Sequence, residues 1–426
     1  MNTATRSILR NIATTHGTPS FVYFPERVHA TIDELTAAFG DRFSISYAIK
    51  CNPNTKLLKA LGSHLGHVDA SSIAEVERGL AAGYLAENIS FSGPAKRPFE
   101  IERAVALGVG ALVCESEAQI AMADASAHRL GLRAKVLLRI NPKNVPKKFG
   151  LHMAGRAGQF GVDEEDCDAL LAKLGQWANI DFSGFHIFSG GNALDVGAIT
   201  ENFSNFIELF ERFATNHDLK PKKLIFGSGF GIPYFDTDLA LDLTQLAARV
   251  NPLIDELRRS SRLGQAQCML EMGRFLTGPH GYLLTSVVAA KHSRGTDIRL
   301  CDAGFNNHLS ACGMMGTVIR RNWNIRNLRE EARGAHEYLL VGPLCASFDQ
   351  LAAKIELPET VIGDCLAVEA SGAYGLTASP TRFISHPEPR EYLVFAGEDY
   401  RLEDATESEL NHPEAARHLP PAGLSP

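Results

Sequence analysis

The alternation of short apolar runs with amphipathic stretches between Val28 and Glu271 constrains this chain more than any other feature, because it is the pattern of βα units around a parallel sheet. Eight β-branched or apolar runs read as strands, at residues 43–49, 67–71, 88–91, 111–114, 134–139, 180–188, 223–226 and 267–270. Helical patterns such as IAEVERGLAAGY, PFEIERAVALG, ITENFSNFIELFERFATNHD and LTQLAARVNPLIDELRRS lie between them. Eight such repeats predict an α/β fold with an N-terminal (β/α)8 TIM-type barrel over residues 26–272. After Arg274 the runs LLTSVVAAK, IRLCDAG, YLLVGPLC, CLAVEASGAYG and YLVFAG follow one another with few helices. That change of rhythm predicts a C-terminal β domain, a sandwich or small barrel, from residues 1–25 and 273–396, with 397–426 as a loosely ordered tail.

At 426 residues the chain exceeds one small core, and 45% hydrophobic with 21% charged residues is ordinary for a globular protein. A formal net charge of −7 leaves no basic excess to neutralise phosphates, which argues against nucleic acid and for a small-molecule partner. No run approaches the length of a membrane span, and residues 1–15 lack the apolar stretch of a signal peptide, so a cytoplasmic protein is expected. The eight cysteines are scattered without CxxC pairs or histidine spacing, which suggests free thiols and neither a metal site nor a disulfide scaffold.

A barrel of this kind places its chemistry where strands end. Lys50 follows the apolar run of the first strand, and although a lone lysine at a strand end is ordinarily solvated, one desolvated in a barrel mouth can form a Schiff base with a carbonyl compound. Pyridoxal 5'-phosphate is the commonest such cofactor, and the rest of the chain supplies what it needs. The glycines of FGSGFGIPY, after the seventh strand, let backbone N–H groups approach an anion; alone, such a loop is as often a tight turn. Glu271, ending the eighth strand, is placed to face a pyridine nitrogen, and a carboxylate there favours decarboxylation over racemisation.

The ordered set YAIKCNPN, HVDASSIAEVERG, ISFSGPAK, LRINP, QFGV, GFHIFSGGN, FGSGFGIPY, EMGRF, CDAG, GPLC and SGAYG resembles the fold-type III pyridoxal-phosphate decarboxylases, the ornithine and diaminopimelate decarboxylase superfamily, over residues 18 to 396. LHMAGRAGQFGVDEED and SGAYGLTASPTRFISHPEPREYLV resemble the branch of siderophore and antibiotic pathways, whose members decarboxylate citrate-linked or carrier-protein-bound amino acids. The resemblance implies that Lys50 carries the cofactor with Asp69 close by. It further implies that Gly227, Ser228, Gly229, Gly273, Arg274 and Tyr374 surround the phosphate, that Glu271 faces the pyridine nitrogen and that Arg139 lies in the wall beneath. Cys345 matches the cysteine that protonates the carbanion, a homodimer with shared active sites is implied, and the alternative for Cys345 is a small buried hydrophobe.

Three departures concern the substrate. Ala346 stands where ornithine and diaminopimelate decarboxylases carry an acidic residue after the catalytic cysteine. AGFNNHLSACG lacks the Arg-Pro clamp that grips the far carboxylate of diaminopimelate. Arg320, Arg321 and Arg326 follow it, either as a solvated charged face or as partners of a polyanionic substrate. Phe188 aligns with the histidine that usually stacks on the cofactor, and His186, on the same face of the strand, competes for that role. The rival readings are a decarboxylase of free diaminopimelate or ornithine, an amino-acid racemase or epimerase, and a noncatalytic cofactor-binding protein; Glu271 and Cys345 weigh against the racemase.

Overall fold

The computed structural model describes residues 1–313, 321–330, 333–395 and 400–407. Eight parallel strands close into a barrel: Ser44–Ala48, His67–Ala70, Ile89–Phe91, Ala111–Cys114, Ala134–Asn141, Ile180–Phe188, Lys223–Gly227 and Gln267–Met272. Each coincides with one of the eight expected runs. Closure comes from the eighth strand pairing with the first (Glu271 opposite Ser46) and the fourth with the fifth (Val113 opposite Leu137).

The helices outside the barrel form where apolar residues recur every three or four positions. In Val196–Asn216, Ile199, Phe203, Phe206, Phe210 and Phe213 are all buried, and the Asp195 carboxylate caps the helix by accepting from the Ala198 N–H at 2.9 Å. Phe203, Phe206 and Phe210 lie against Phe226 of the seventh strand, with ring centroids 5.3–6.1 Å apart. Burying each ring contributes on the order of 2–3 kcal/mol, so this one face fixes the helix to the barrel.

The second part of the molecule is a nine-stranded sheet. Gly281–Ser293 is its longest strand and pairs with Ser20–Tyr23, Thr296–Cys301 and Cys365–Val368, which brings the early run at 21–24 into the C-terminal sheet as expected. Some elements of this part were not legible beforehand. Thr3–His16 is a helix whose Leu9, Ile12 and Ala13 pack on Val22, Tyr282 and Tyr392 of the sheet. Gln350–Leu357 is an edge strand beside His336–Val341.

The expectation of a loose tail from residue 397 is corrected over 400–407. Arg401–Asp404 extends the sheet beside Arg390–Phe395, and the chain stays ordered there because Asn54 donates to the Ala405 carbonyl at 2.8 Å and Arg78 pairs with Glu407. Residues 396–399 and 408–426, and Arg320, lie outside the described residues.

The seam between barrel and sheet contains a buried carboxyl. Glu391 accepts from Tyr23 Oη at 2.9 Å and from Asn54 Nδ2 at 3.0 Å, and burial nonetheless pushes its pKa from 4.5 up to about 7. The folded chain therefore holds this proton more tightly than the unfolded chain. Its contribution to stability is complete below pH 4.5 and is lost as pH rises through about 7, a span worth roughly 3 kcal/mol. Urea unfolding of the wild type and of Glu391→Gln across this window should show the variant losing less stability as pH rises; parallel pH profiles would refute the assignment.

Candidate active site

Strand side chains alternate, so the barrel interior can be read in layers two residues apart. Ala111, Val113, Leu137, Ile225 and Met269 pack together as an apolar floor. Two residues further along the same strands stand Glu115, Arg139, Gly227 and Glu271, at the C-terminal mouth. His186 joins this layer, opposite Arg139 on one side and Ile225 on the other.

Glu271 is buried, and its Oε2 lies 3.2 Å from His186 Nε2. Burial lowers the His186 pKa, against the pull of the Glu271 charge, and Nε2–H donates to the carboxylate. Burial alone would raise the Glu271 pKa, but this hydrogen bond and the positive charges of Lys50 and Arg139 outweigh it and hold the carboxylate below its ordinary range. Asp69, fully buried, goes the other way: desolvation and the Glu271 charge raise its pKa, against Lys50 and the hydroxyls of Ser90 (2.8 Å) and Ser92 (3.0 Å). Lys50 Nζ stands 3.8 Å from Asp69 Oδ2 and 3.5 Å from Ser71 Oγ, with the side chain 40% exposed in the mouth. Enclosure opposes its charge, yet Asp69 and Glu271 together raise the pKa of the amine.

The glycine loop is shaped by close approach. A Cβ on Gly227 would stand 2.3 Å from the Phe188 ring, and one on Gly229 2.6 Å from the Gly190 carbonyl, so only glycine lets these strand ends converge. Gly229 also has φ +65°, a conformation that glycine adopts without strain. Gly273 packs on Cys51 just before the short helix Arg274–Thr277. Arg274 donates to Tyr234 Oη, and its guanidinium lies 4.8 Å from the Tyr374 ring. Tyr374 is anchored by its own N–H, which donates to the Cys51 carbonyl at 2.9 Å, so the lysine turn and SGAYG are bonded together.

Arg139 meets Glu115 through one Nη1, 3.1 Å from both carboxylate oxygens, and lies over the Phe160 ring at 4.6 Å. Glu115 also accepts from the N–H groups of Gly93 and Gly161, each at 2.9 Å, which ties three loops of the mouth together. Its place at a strand end was visible in the sequence; its partner was not. Cys345 is the expected residue that stands apart. Its side chain is exposed, on a loop fixed by the Asp349 carboxylate, which accepts from Leu344 and Phe305 N–H at 2.8 Å each. Among the described residues it makes no hydrogen bond to the Lys50 group. Arg321 is taken up by Thr237, Asp238 and the Phe235 ring, and Arg326 by Glu369 at 3.7 Å.

The polar set fits pyridoxal phosphate: an amine, an ionised carboxylate held by histidine, and a glycine cradle beside an arginine. Two buried atoms near it, His186 Nδ1 and Ser189 Oγ, have no partner among the described residues, as expected where a cofactor or its water belongs. A family model described as pyridoxal-dependent decarboxylase, pyridoxal binding domain, matches residues 26–278. The chain is 30% identical over 380 residues, 88% of each protein, to the L-glutamyl-[BtrI acyl-carrier protein] decarboxylase of Niallia circulans. It is 25% identical over 392 residues, 91% of this chain and 97% of the other, to the 2-[(L-alanin-3-ylcarbamoyl)methyl]-2-hydroxybutanedioate decarboxylase of Staphylococcus aureus. The structure of Helicobacter pylori diaminopimelate decarboxylase with L-lysine superposes with a TM-score of 0.83 at 26% identity, covering 94% of this chain and 96% of that one. The chain belongs to the pyridoxal-phosphate-dependent decarboxylases of fold type III. Among its described residues no helix is long and apolar enough to cross a membrane.

Proposed function

We propose that this enzyme decarboxylates an amino acid carried in a conjugate, linked to citrate or bound to a carrier protein, in the making of a siderophore or another secondary metabolite. The observation that carries this reading is the uncharged substrate side. Ala346 follows Cys345, and residues 304–313 contain no arginine, so a free diamino acid finds neither a carboxylate for its far ammonium nor a clamp for its far carboxylate. The relatives named for a carrier-bound glutamyl group and for a citrate-type conjugate support it. Carbon dioxide release from a panel of free amino acids and conjugates tests the proposal. Conjugates should react faster by at least about tenfold in kcat/KM; a preference for free diaminopimelate or ornithine would overturn it.

Bound pyridoxal phosphate supplies the electron sink for the pair left when carbon dioxide departs. In this reading Lys50 holds the cofactor, and Gly227, Ser228, Gly229, Gly273, Arg274 and Tyr374 receive its phosphate. Glu271 keeps the proton on the ring nitrogen, and His186 keeps Glu271 in place. Phe188, at the strand end, takes the stacking role, because His186 is spent on Glu271. Arg139, through Glu115, holds the wall below. Cys345 delivers the proton that replaces the carboxylate.

The exposure of Cys345 favours a homodimer whose thiol serves the partner's site. Exposed Phe348, Phe383 and Ile384, 43–48% accessible, give its surroundings an apolar face suited to such a contact. Free thiols and this enzyme class support the reading of a cytoplasmic protein. Cys345→Ala should retain the cofactor while turnover falls roughly 10²- to 10⁴-fold. Mixing it with Lys50→Ala should restore roughly a quarter of the activity, since half the dimers are then mixed and each holds one intact site. No recovery after subunit exchange would count against a shared site.

A further inference from the structure

The turn at 304–308 stands between the two sides of the site. The Asp349 carboxylate that holds the Cys345 loop also accepts from the Phe305 N–H at 2.8 Å. On the opposite side the His308 ring meets Trp323 edge to face at 4.7 Å, Trp323 lies 4.4 Å from the Tyr234 ring, and Tyr234 accepts from Arg274. Ser310 Oγ donates to the Tyr374 carbonyl at 3.0 Å. One short segment therefore contacts the Cys345 loop, Tyr374 and the aromatic pair beside Arg274.

Its three central side chains are polar and buried: Asn306 and Asn307 are 1% exposed and His308 0%. Asn307 Oδ1 accepts from the Gly304 N–H at 3.3 Å. His308 Nδ1 accepts from the Ala311 N–H at 3.2 Å, which puts the ring proton on Nε2. With those bonds made, Asn306 Oδ1 and Nδ2, Asn307 Nδ2 and His308 Nε2 have no partner among the described residues. Four such atoms on three consecutive residues are costly to bury, and a bound group or ordered water has to satisfy them. None of the three residues carries charge, since burial pushes the His308 imidazole down to about 3.

Resting on the conjugate reading above, we propose that Asn306 and Asn307, with the Nε2–H of His308 next to them in the chain, bind the amide linkage of the substrate. The Asn306 side chain offers an NH2 donor group and a carbonyl acceptor, the complement of a secondary amide, and Asn307 Nδ2 and the His308 Nε2–H suit its carbonyl oxygen or a neighbouring one. A charged far end gains nothing from such a set. An uncharged linkage between the amino acid and its carrier gains hydrogen bonds in a place where unpaired groups are otherwise buried.

The test uses the cofactor-loaded enzyme and two probes, β-N-succinyl diaminopropionate and its ester isostere O-succinyl serine, titrated by calorimetry. The amide should bind about tenfold tighter or better, the discrimination expected when a buried site loses a hydrogen bond to its ligand. Asn306→Leu should bring the two probes to within about twofold of each other by weakening the amide. Asn307→Ala, which removes a smaller group, serves if Asn306→Leu does not retain cofactor. Equal binding of both probes, no binding of either, or a preference that survives substitution overturns the assignment; equal binding is the result if ordered water satisfies these atoms. Carbon dioxide is measured in parallel. Tight amide binding without its release counts against decarboxylation of conjugates and leaves the amide site standing.

Discussion

Lys50→Ala should purify without the visible absorbance of covalently held pyridoxal phosphate and release carbon dioxide roughly 10²- to 10⁴-fold more slowly than the wild type. The reason lies in the layer around it. Asp69 and Glu271 supply two carboxylates beneath a single amine, and the amine is the one group there able to bond the cofactor covalently. Lys50→Arg separates that role from simple charge balance. It keeps a cation beside Asp69 in place of the 3.8 Å ammonium contact, but a guanidinium does not replace the amine as a nucleophile. Both variants should lack the band after dialysis, while Lys50→Arg alone should keep wild-type stability. Retention of the band in either one would remove Lys50 from the centre of the site.

The sequence made the barrel legible because one physical signal, apolar alternation of period two interrupted by period 3.6, repeats eight times. The strand ends that follow from it contain Lys50, Asp69, Arg139, Gly227 and Glu271, and all five stand at the barrel mouth. Partners across the mouth were less legible, because periodicity tells which way a side chain faces and not what lies opposite. Ser90 and Ser92 on Asp69, Glu115 on Arg139 and Tyr234 on Arg274 each depend on strand register or loop path. The contact of His186 with Glu271, 85 residues apart in sequence, which favours Phe188 for the proposed stacking role, was likewise not legible. The N-terminal helix escaped notice because Leu9, Ile12 and Ala13 make a narrow stripe in an otherwise polar segment, which only the neighbouring sheet makes stable. The turn at 304–308 read as the absence of a clamp; that its asparagines are buried with three side-chain atoms lacking a partner among the described residues is a property of the fold alone.

Glu271→Gln is the second large effect. The substitution keeps the shape and one oxygen to accept from His186 Nε2–H, so the layer should pack as before and cofactor content should stay near the wild-type level. What changes is charge. The hydrogen bond from His186 and the positive groups Lys50 and Arg139 hold the Glu271 carboxylate ionised against its burial, and in the proposed arrangement an ionised carboxylate would keep a proton on the ring nitrogen of bound pyridoxal phosphate. A neutral amide would not supply that support to bound pyridoxal phosphate, which should lower kcat roughly 10²- to 10³-fold with little change in KM. Asp69 should respond as well. The Glu271 charge helps to raise its pKa, so in the variant Asp69 ionises more readily and takes over as the counter-ion of Lys50. Cofactor absorbance followed against pH would therefore shift between wild type and variant even where no substrate is present. Unchanged kcat in Glu271→Gln, with the cofactor bound, would mean that the electron sink works without this carboxylate, and the preference for decarboxylation over racemisation would lose its physical basis.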